Sequence, residues 1–278
     1  MPDRQAGFTV DVGAVRLSGE QHGEGPAIVL LHGLTATRRY VVMGSRALER
    51  SGHRVVLYDA RGHGHSGPAP RSDAYTYELL AEDLRAVLDA LGIERAVLAG
   101  ASMGAQTALR FALDHPRRVV ALGLITPAFD PEATASPDAH AGWDRLARGL
   151  REGGVEGFVA AYDLDAVPLS FRETVATVLR QRLSAHDHPL AVADALEAVP
   201  RSRPFEAWGD LAAIGAPAVV VASRDEPDPG HPLAVAGRYA AAIPNAKLVV
   251  EEAGKSPIAW QGGQLSKVLA GLAGATGS

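Results

Sequence analysis

Two stretches of this chain, "PAIVLLHG" (26–33) and "HRVVLYDARG" (53–62), carry unbroken apolar runs where a half-exposed strand would alternate. Such a strand is buried on both faces, and a parallel sheet covered by helices on each side provides that burial. Further strands read at 95–102, 119–128, 217–223 and 246–253. Helical patterns lie between them. In "YELLAEDLRAVLDALG" (77–92), Leu80, Leu84, Leu88 and Leu91 recur at helical spacing and Gly92 ends the run. Helices are also predicted over 103–116, 205–215, 232–243 and 264–275, and residues 8–21 read as a hairpin around a Gly turn. Strands alternating with helices imply a parallel sheet joined by right-handed crossovers.

The alternation stops after Ala128 and resumes near Phe205. Residues from about 130 to 205 read as mostly helical, with Pro and Gly breaks and no strand. A helical block inserted between two sheet strands lies naturally over the C-terminal edge of the sheet, where open α/β sheets bind ligands. The expected division is therefore a core of residues 1–129 and 206–278 and a helical lid of 130–205. The chain's 278 residues suit one large α/β domain carrying such an insertion, and 47% hydrophobic residues suit a full core. The last five residues, "GATGS", are expected to fray.

A net charge of −5 favours neither nucleic acid nor an anionic membrane as partner. With no cysteine, thiol nucleophiles, disulfides and cysteine metal sites are excluded. The start, "MPDRQAGFTVDVG", lacks the pattern of a signal peptide, and no apolar run is long enough to cross a bilayer. The expected setting is the cytoplasm and the expected partner a small molecule.

The chemistry begins at "AGASMGAQ", where Gly100, Ser102 and Gly104 form G-x-S-x-G between a strand and a helix. A tight strand-to-helix turn needs small flanking residues, and it holds the serine oxygen out above the sheet at a helix N-terminus. On this evidence the chain resembles the α/β-hydrolase family over nearly its whole length outside the helical block. "LLHGLTAT" is similar to the family's strand-end His-Gly motif. The resemblance implies an oxyanion site formed by the amides of Leu34 and of Met103, next to the nucleophile. Two such donors are worth several kcal/mol in a transition state. "YDARGHGHSG" resembles a family loop whose Asp59, Arg61, Gly62, Gly64 and Ser66 serve architecture. His63 and His65 are therefore not taken as catalytic, and His32 reads as a structural hydrogen-bonding residue.

The resemblance places the acid after the strand "PAVVVAS", three residues beyond a position held here by Ser223. That residue is Glu226, with Asp225 and Asp228 as alternatives in the same polar loop. The family's histidine stands in a segment like Gly-His-Ser-Pro. This chain has Gly254, Lys255, Ser256 and Pro257, and no histidine follows His231. The catalytic positions implied are thus Ser102, Glu226 and Lys255, with an atypical triad.

A lysine base must be neutral. From a reference pKa of about 10.4, half-neutrality near pH 7.4 requires a lowering of about 3, or about 4 kcal/mol. Burial supplies that, whereas a neighbouring carboxylate opposes it. Glu226 beside Lys255 is expected to form an ion pair, in which the ammonium donates and accepts no proton. Three readings stay open. The base is another residue: His231, or His186 or His188 from the helical block. Alternatively, Lys255 is neutral in a dried site. Or the machinery is disabled, and the pocket binds a ligand with Lys255 anchoring a carboxylate or enolate. The expected activity is hydrolysis of a small ester, thioester or related carbonyl compound, with no cofactor implied. The alternatives are a non-catalytic ligand-binding protein and a lyase- or isomerase-like enzyme that stabilises an enolate. Of the aromatics in the block, Trp143, Phe158, Tyr162 and Phe171 read as packing against the core.

Overall fold

A computed structural model describes residues 6–133 and 140–275. Of the five residues expected to fray, Gly274 is the last of a helix and Ala275 follows it, and 276–278 lie outside the described residues. The strands are β1 (Ala6–Val12), β2 (Val15–His22), β3 (Ala27–Leu31), β4 (Arg54–Tyr58), β5 (Ala96–Ala101), β6 (Val119–Ile125), β7 (Ala218–Ala222) and β8 (Ala246–Val250). They form one sheet in the order β1-β2-β4-β3-β5-β6-β7-β8. The β1–β2 and β2–β4 pairs are antiparallel, and every pair from β4 to β8 is parallel. The apolar runs occupy the middle of this sheet: Ile28, Val29 and Leu30 of β3 and Val220 and Val221 of β7 are wholly buried. The edge strand β8 is only partly covered, as its outer position requires.

Helices cover both faces. The helices are α1 (Ala47–Arg50), α2 (Tyr77–Ala90), α3 (Met103–Asp114), α4 (Ala141–Ala161), α5 (Leu169–Leu183), α6 (Pro189–Ala198), α7 (Leu233–Ala242) and α8 (Gly262–Gly274). Leu84 and Leu88 of α2, Leu109 and Phe111 of α3 and Tyr239 of α7 share one core with one face of the sheet. Leu48 of α1 and Leu265 and Leu269 of α8 build the core on the other face. Helix α2 shows how sequence sets this arrangement. The Thr76 hydroxyl caps its N-terminus by accepting from the Leu79 amide, and Leu80, Leu84 and Leu88 point inward. Each fully buried leucine contributes about 1.5–3 kcal/mol.

Between β6 and β7 the described chain is helical, containing α4, α5 and α6. These helices share an apolar cluster of Leu150, Phe158, Leu179, Leu183, Val192 and Leu196, and Leu34 of the core packs against it. On the core side, Ala191, Ala195 and Val199 meet Tyr75, Tyr77, Leu80 and Met103. Phe158 is buried, and Tyr162 stacks obliquely against it. Phe171 meets Trp260 edge-on, with ring centroids 5.9 Å apart. Trp143 differs from expectation, remaining 37% exposed.

The helix expected over 205–215 is instead a 3-10 turn, Trp208–Ala213. The Asp210 carboxylate accepts from the Glu206 and Ala207 amides at 2.9 Å each, which closes a short tight turn rather than starting a longer helix. Among the described residues no helix is long and apolar enough to cross a membrane.

Candidate active site

Ser102 sits between β5 and α3 with φ 50° and ψ −111°. A non-glycine residue held there stores about 1–3 kcal/mol of strain. The sheet holds the turn, because the Ser102 amide donates to the Ile125 carbonyl at 2.9 Å. The flanking glycines are steric necessities. A Cβ at Gly100 would overlap the Gly104 backbone, and one at Gly104 would overlap the Leu31 carbonyl. The Ser102 hydroxyl makes no hydrogen bond among the described residues, and it stands at the positive end of α3.

The loop after β3 lies beside this turn. A Cβ built on Gly33 would stand 3.5 Å from the Ser102 Cβ. The Leu34 and Met103 amides have no hydrogen-bond partner among the described residues, so both donors are available to an external oxygen. The rest of the loop is tied down. Nε2 of His32 accepts from the Ala60 amide at 2.9 Å, so Nδ1 carries the proton and donates to the Gly33 carbonyl at 2.9 Å. His63 Nδ1 lies 2.9 Å from the Arg61 carbonyl. Burial drives the His32 pKa down to about 3 and holds His63 well below the usual range. Both are neutral and structural. Asp59 accepts from the amides of Arg38 and His65, and Ser66 bridges the Asp59 carbonyl and the Ser18 amide. Arg61 forms a buried two-pronged ion pair with Asp83 at 2.7 and 2.8 Å.

His186, one of the alternative bases, faces away from this chemistry. Its Nδ1 accepts from the Gly64 amide at 2.8 Å and its Nε2 donates to the Thr35 carbonyl at 3.0 Å. With both nitrogens committed, it clamps the helical block to the core. His188 is exposed at the start of α6.

The loop after β7 gives its three carboxylates three different environments. Asp225 accepts from the Leu233 amide at 2.6 Å and so caps α7. Glu226 is exposed, with no ion pair among the described residues. Asp228, 16% exposed at its side chain, holds His231 Nδ1 at 2.8 Å. The expected Glu226–Lys255 pair does not form: Lys255 is exposed and its side chain has no partner among the described residues. In that segment it is Glu251 that is buried, its carboxylate accepting from the Arg224 amide. The structure therefore joins two of the alternative residues, Asp228 and His231, and leaves Glu226 and Lys255 apart.

One residue had no signal in the sequence. Arg182, near the end of α5, donates from Nη2 to the Leu34 carbonyl and the Thr35 hydroxyl, both at 2.9 Å. Burial lowers its pKa, opposed by Tyr162, Tyr40 and Asp228, which face it. An arginine in a last helical turn is ordinary, so nothing in the sequence marked it. Two surface cavities, of about 490 and 540 Å³, have linings that do not include Ser102. No group of side chains suited to hold a metal occurs among the described residues.

Known proteins resemble this chain in sequence and in fold. A 2-hydroxy-6-oxononadienedioate/2-hydroxy-6-oxononatrienedioate hydrolase of Pseudomonas putida is 35% identical over 239 residues, covering 82% of this chain and 80% of its own. A putative carbamate hydrolase, RutD, of Variovorax paradoxus (strain S110) is 31% identical over 212 residues, covering 74% and 77%. The crystal structure of an enol-lactonase from Burkholderia xenovorans LB400 superposes with a TM-score of 0.78 at 26% identity, covering 96% of this chain and all of that one. The model of the alpha/beta hydrolase fold family matches residues 26–261. The strand order, the helices on both faces and these matches together make the chain a member of the α/β-hydrolase family.

Proposed function

We propose that this α/β-hydrolase cleaves a small ester, thioester or related carbonyl compound with Ser102 as nucleophile and an Asp228–His231 pair as its base. The 2.8 Å Asp228–His231 bond carries this reading. It fixes Nδ1 as the protonated nitrogen and leaves Nε2 to accept. In the reaction, His231 Nε2 takes the proton of Ser102 as the oxygen attacks the substrate carbonyl. The resulting oxyanion lies between the Leu34 and Met103 amides. Collapse expels the leaving group, which takes the proton from His231, and water then releases the acyl group by the same route. Asp228 stabilises the imidazolium formed on the way. Lys255 is exposed, so it lacks the desolvation that a lysine base requires. Residues 130–205 act as a lid on a core of 1–129 and 206–278 and choose the substrate. The relatives named for carbamate, oxo-dienedioate and enol-lactone chemistry support a carbonyl substrate.

The test is labelling by a fluorophosphonate together with hydrolysis of an activated ester. Wild type should label at Ser102, and Ser102→Ala should do neither. His231→Ala should lose about 10²- to 10⁴-fold in kcat, whereas Lys255→Ala stays within about threefold. If the Lys255 variant falls and the His231 variant does not, lysine is the base. If folded wild type neither labels nor hydrolyses, the pocket binds a ligand without cleaving it.

A further inference from the structure

Arg182 is the cation that the fold places over the oxyanion loop. Other arginines of the helical block find carboxylates: Arg151, Arg180 and Arg201 reach them at 2.6–2.9 Å from exposed positions, where such pairs are worth little. Arg182, whose guanidinium is far better covered, has no carboxylate within ion-pair distance among the described residues. Its Nε is buried without a partner, and its Nη1 makes no hydrogen bond there. A covered guanidinium without a counter-ion is costly. Its Nη2 is spent on Leu34 and Thr35, which leaves the other nitrogens unused beside the residue whose amide faces the reacting carbonyl.

We propose that Arg182 binds a carboxylate carried by the substrate itself, so that the preferred substrates are acyl compounds with a free carboxylate a short distance from the scissile carbonyl. This rests on the serine-hydrolase reading of the same pocket. A guanidinium presents flat, divergent N–H donors that suit carboxylate oxygens, and it stays charged where lysine would not. The spacing follows from Leu34. Its amide is the oxyanion donor and its carbonyl holds the guanidinium, so the two recognition points lie one residue apart. One residue's span plus a hydrogen bond at each end puts the carboxylate within about 9 Å of the reacting carbonyl oxygen, a reach that a glutaryl chain covers. Lid choice of substrate then has a charged component as well as an apolar one.

The competing role is mechanical: Arg182 only props the loop. A matched pair of substrates separates the two. The ratio of kcat/KM for 4-nitrophenyl hydrogen glutarate to that for 4-nitrophenyl valerate should fall by at least about tenfold in Arg182→Gln, chiefly through KM for the anionic ester. Arg182→Lys should recover part of that ratio. A ratio unmoved in Arg182→Gln, with both esters slowed alike, makes Arg182 a prop and overturns the proposal. Calorimetry on Ser102→Ala gives an answer independent of catalysis. Glutarate should bind that variant and fail to bind Ser102→Ala/Arg182→Gln. Glutarate bound through Arg182 without ester turnover by wild type would sink the hydrolase reading and keep the anion site. Turnover of both esters without glutarate binding would do the reverse.

Discussion

His32 should make this protein lose stability in mild acid, and the amount can be worked out. Both ring nitrogens are used in the neutral form, one accepting from Ala60 and one donating to Gly33, and the ring is buried. Burial, with smaller contributions from His186, Arg182 and Arg38, lowers its pKa to about 3, against about 6.5 in the unfolded chain. The folded value is the depressed one, so the unfolded state takes up a proton that the native state refuses. The native state therefore keeps its full stability above about pH 6.5 and loses it as pH falls toward 3. At about pH 5 the loss from this one ring is about 2 kcal/mol, and the complete loss below pH 3 approaches about 5. His32→Gln keeps an acceptor and removes the titration. At neutral pH the variant should be about 1–3 kcal/mol less stable, because the donor to Gly33 is lost. Urea unfolding at about pH 7.5 and about pH 5 gives the comparison, and wild type should lose about 2 kcal/mol more than the variant between them. An equal loss in both proteins would mean that burial does not keep His32 neutral in the folded state, and the argument would fail.

Other changes test the framework. Asp83→Ala leaves Arg61 buried without its partner, and urea unfolding should show a cost of about 3–5 kcal/mol. Leu84→Ala removes a wholly buried side chain between α2 and the sheet and should cost about 2–5 kcal/mol by the same measurement. Joining residue 129 to 206 by a short linker uncovers Tyr75, Tyr77, Leu80 and Met103. The shortened protein should keep mixed α/β circular dichroism and melt cooperatively at a lower temperature, and loss of all cooperative structure would show that the helical block belongs to the core.

The sheet was legible because strands covered on both faces leave no alternative pattern: β3 and β4 announce themselves in "AIVLL" and "RVVLY". The Ser102 turn was legible because Gly100 and Gly104 have to fit against named backbone atoms. The acid loop was not. Asp225, Glu226 and Asp228 are chemically alike and nearly adjacent, and only contacts made in three dimensions separate a helix cap, a solvated charge and a partner for imidazole. Counting from Ser223 leads to Glu226, which faces solvent. His186 was read as a possible base because sequence shows an imidazole and not the two backbone groups that occupy it. Arg182 was invisible for the same reason: what distinguishes it is a buried Nε without a partner and no carboxylate within ion-pair distance among the described residues.

Two side chains of the helical block, Arg182 and His186, hold the backbone of Leu34 and Thr35 directly. The helical block is thereby built into the loop that lies beside the Ser102 turn. Grafting a foreign block onto this core would alter more than the block itself. Without an arginine and a histidine at these two places, the loop after β3 would lose its outer supports, and the disturbance would reach the Ser102 turn beside it. Engineers who wish to exchange the block should carry these two anchors across before judging any chimera by its preferences.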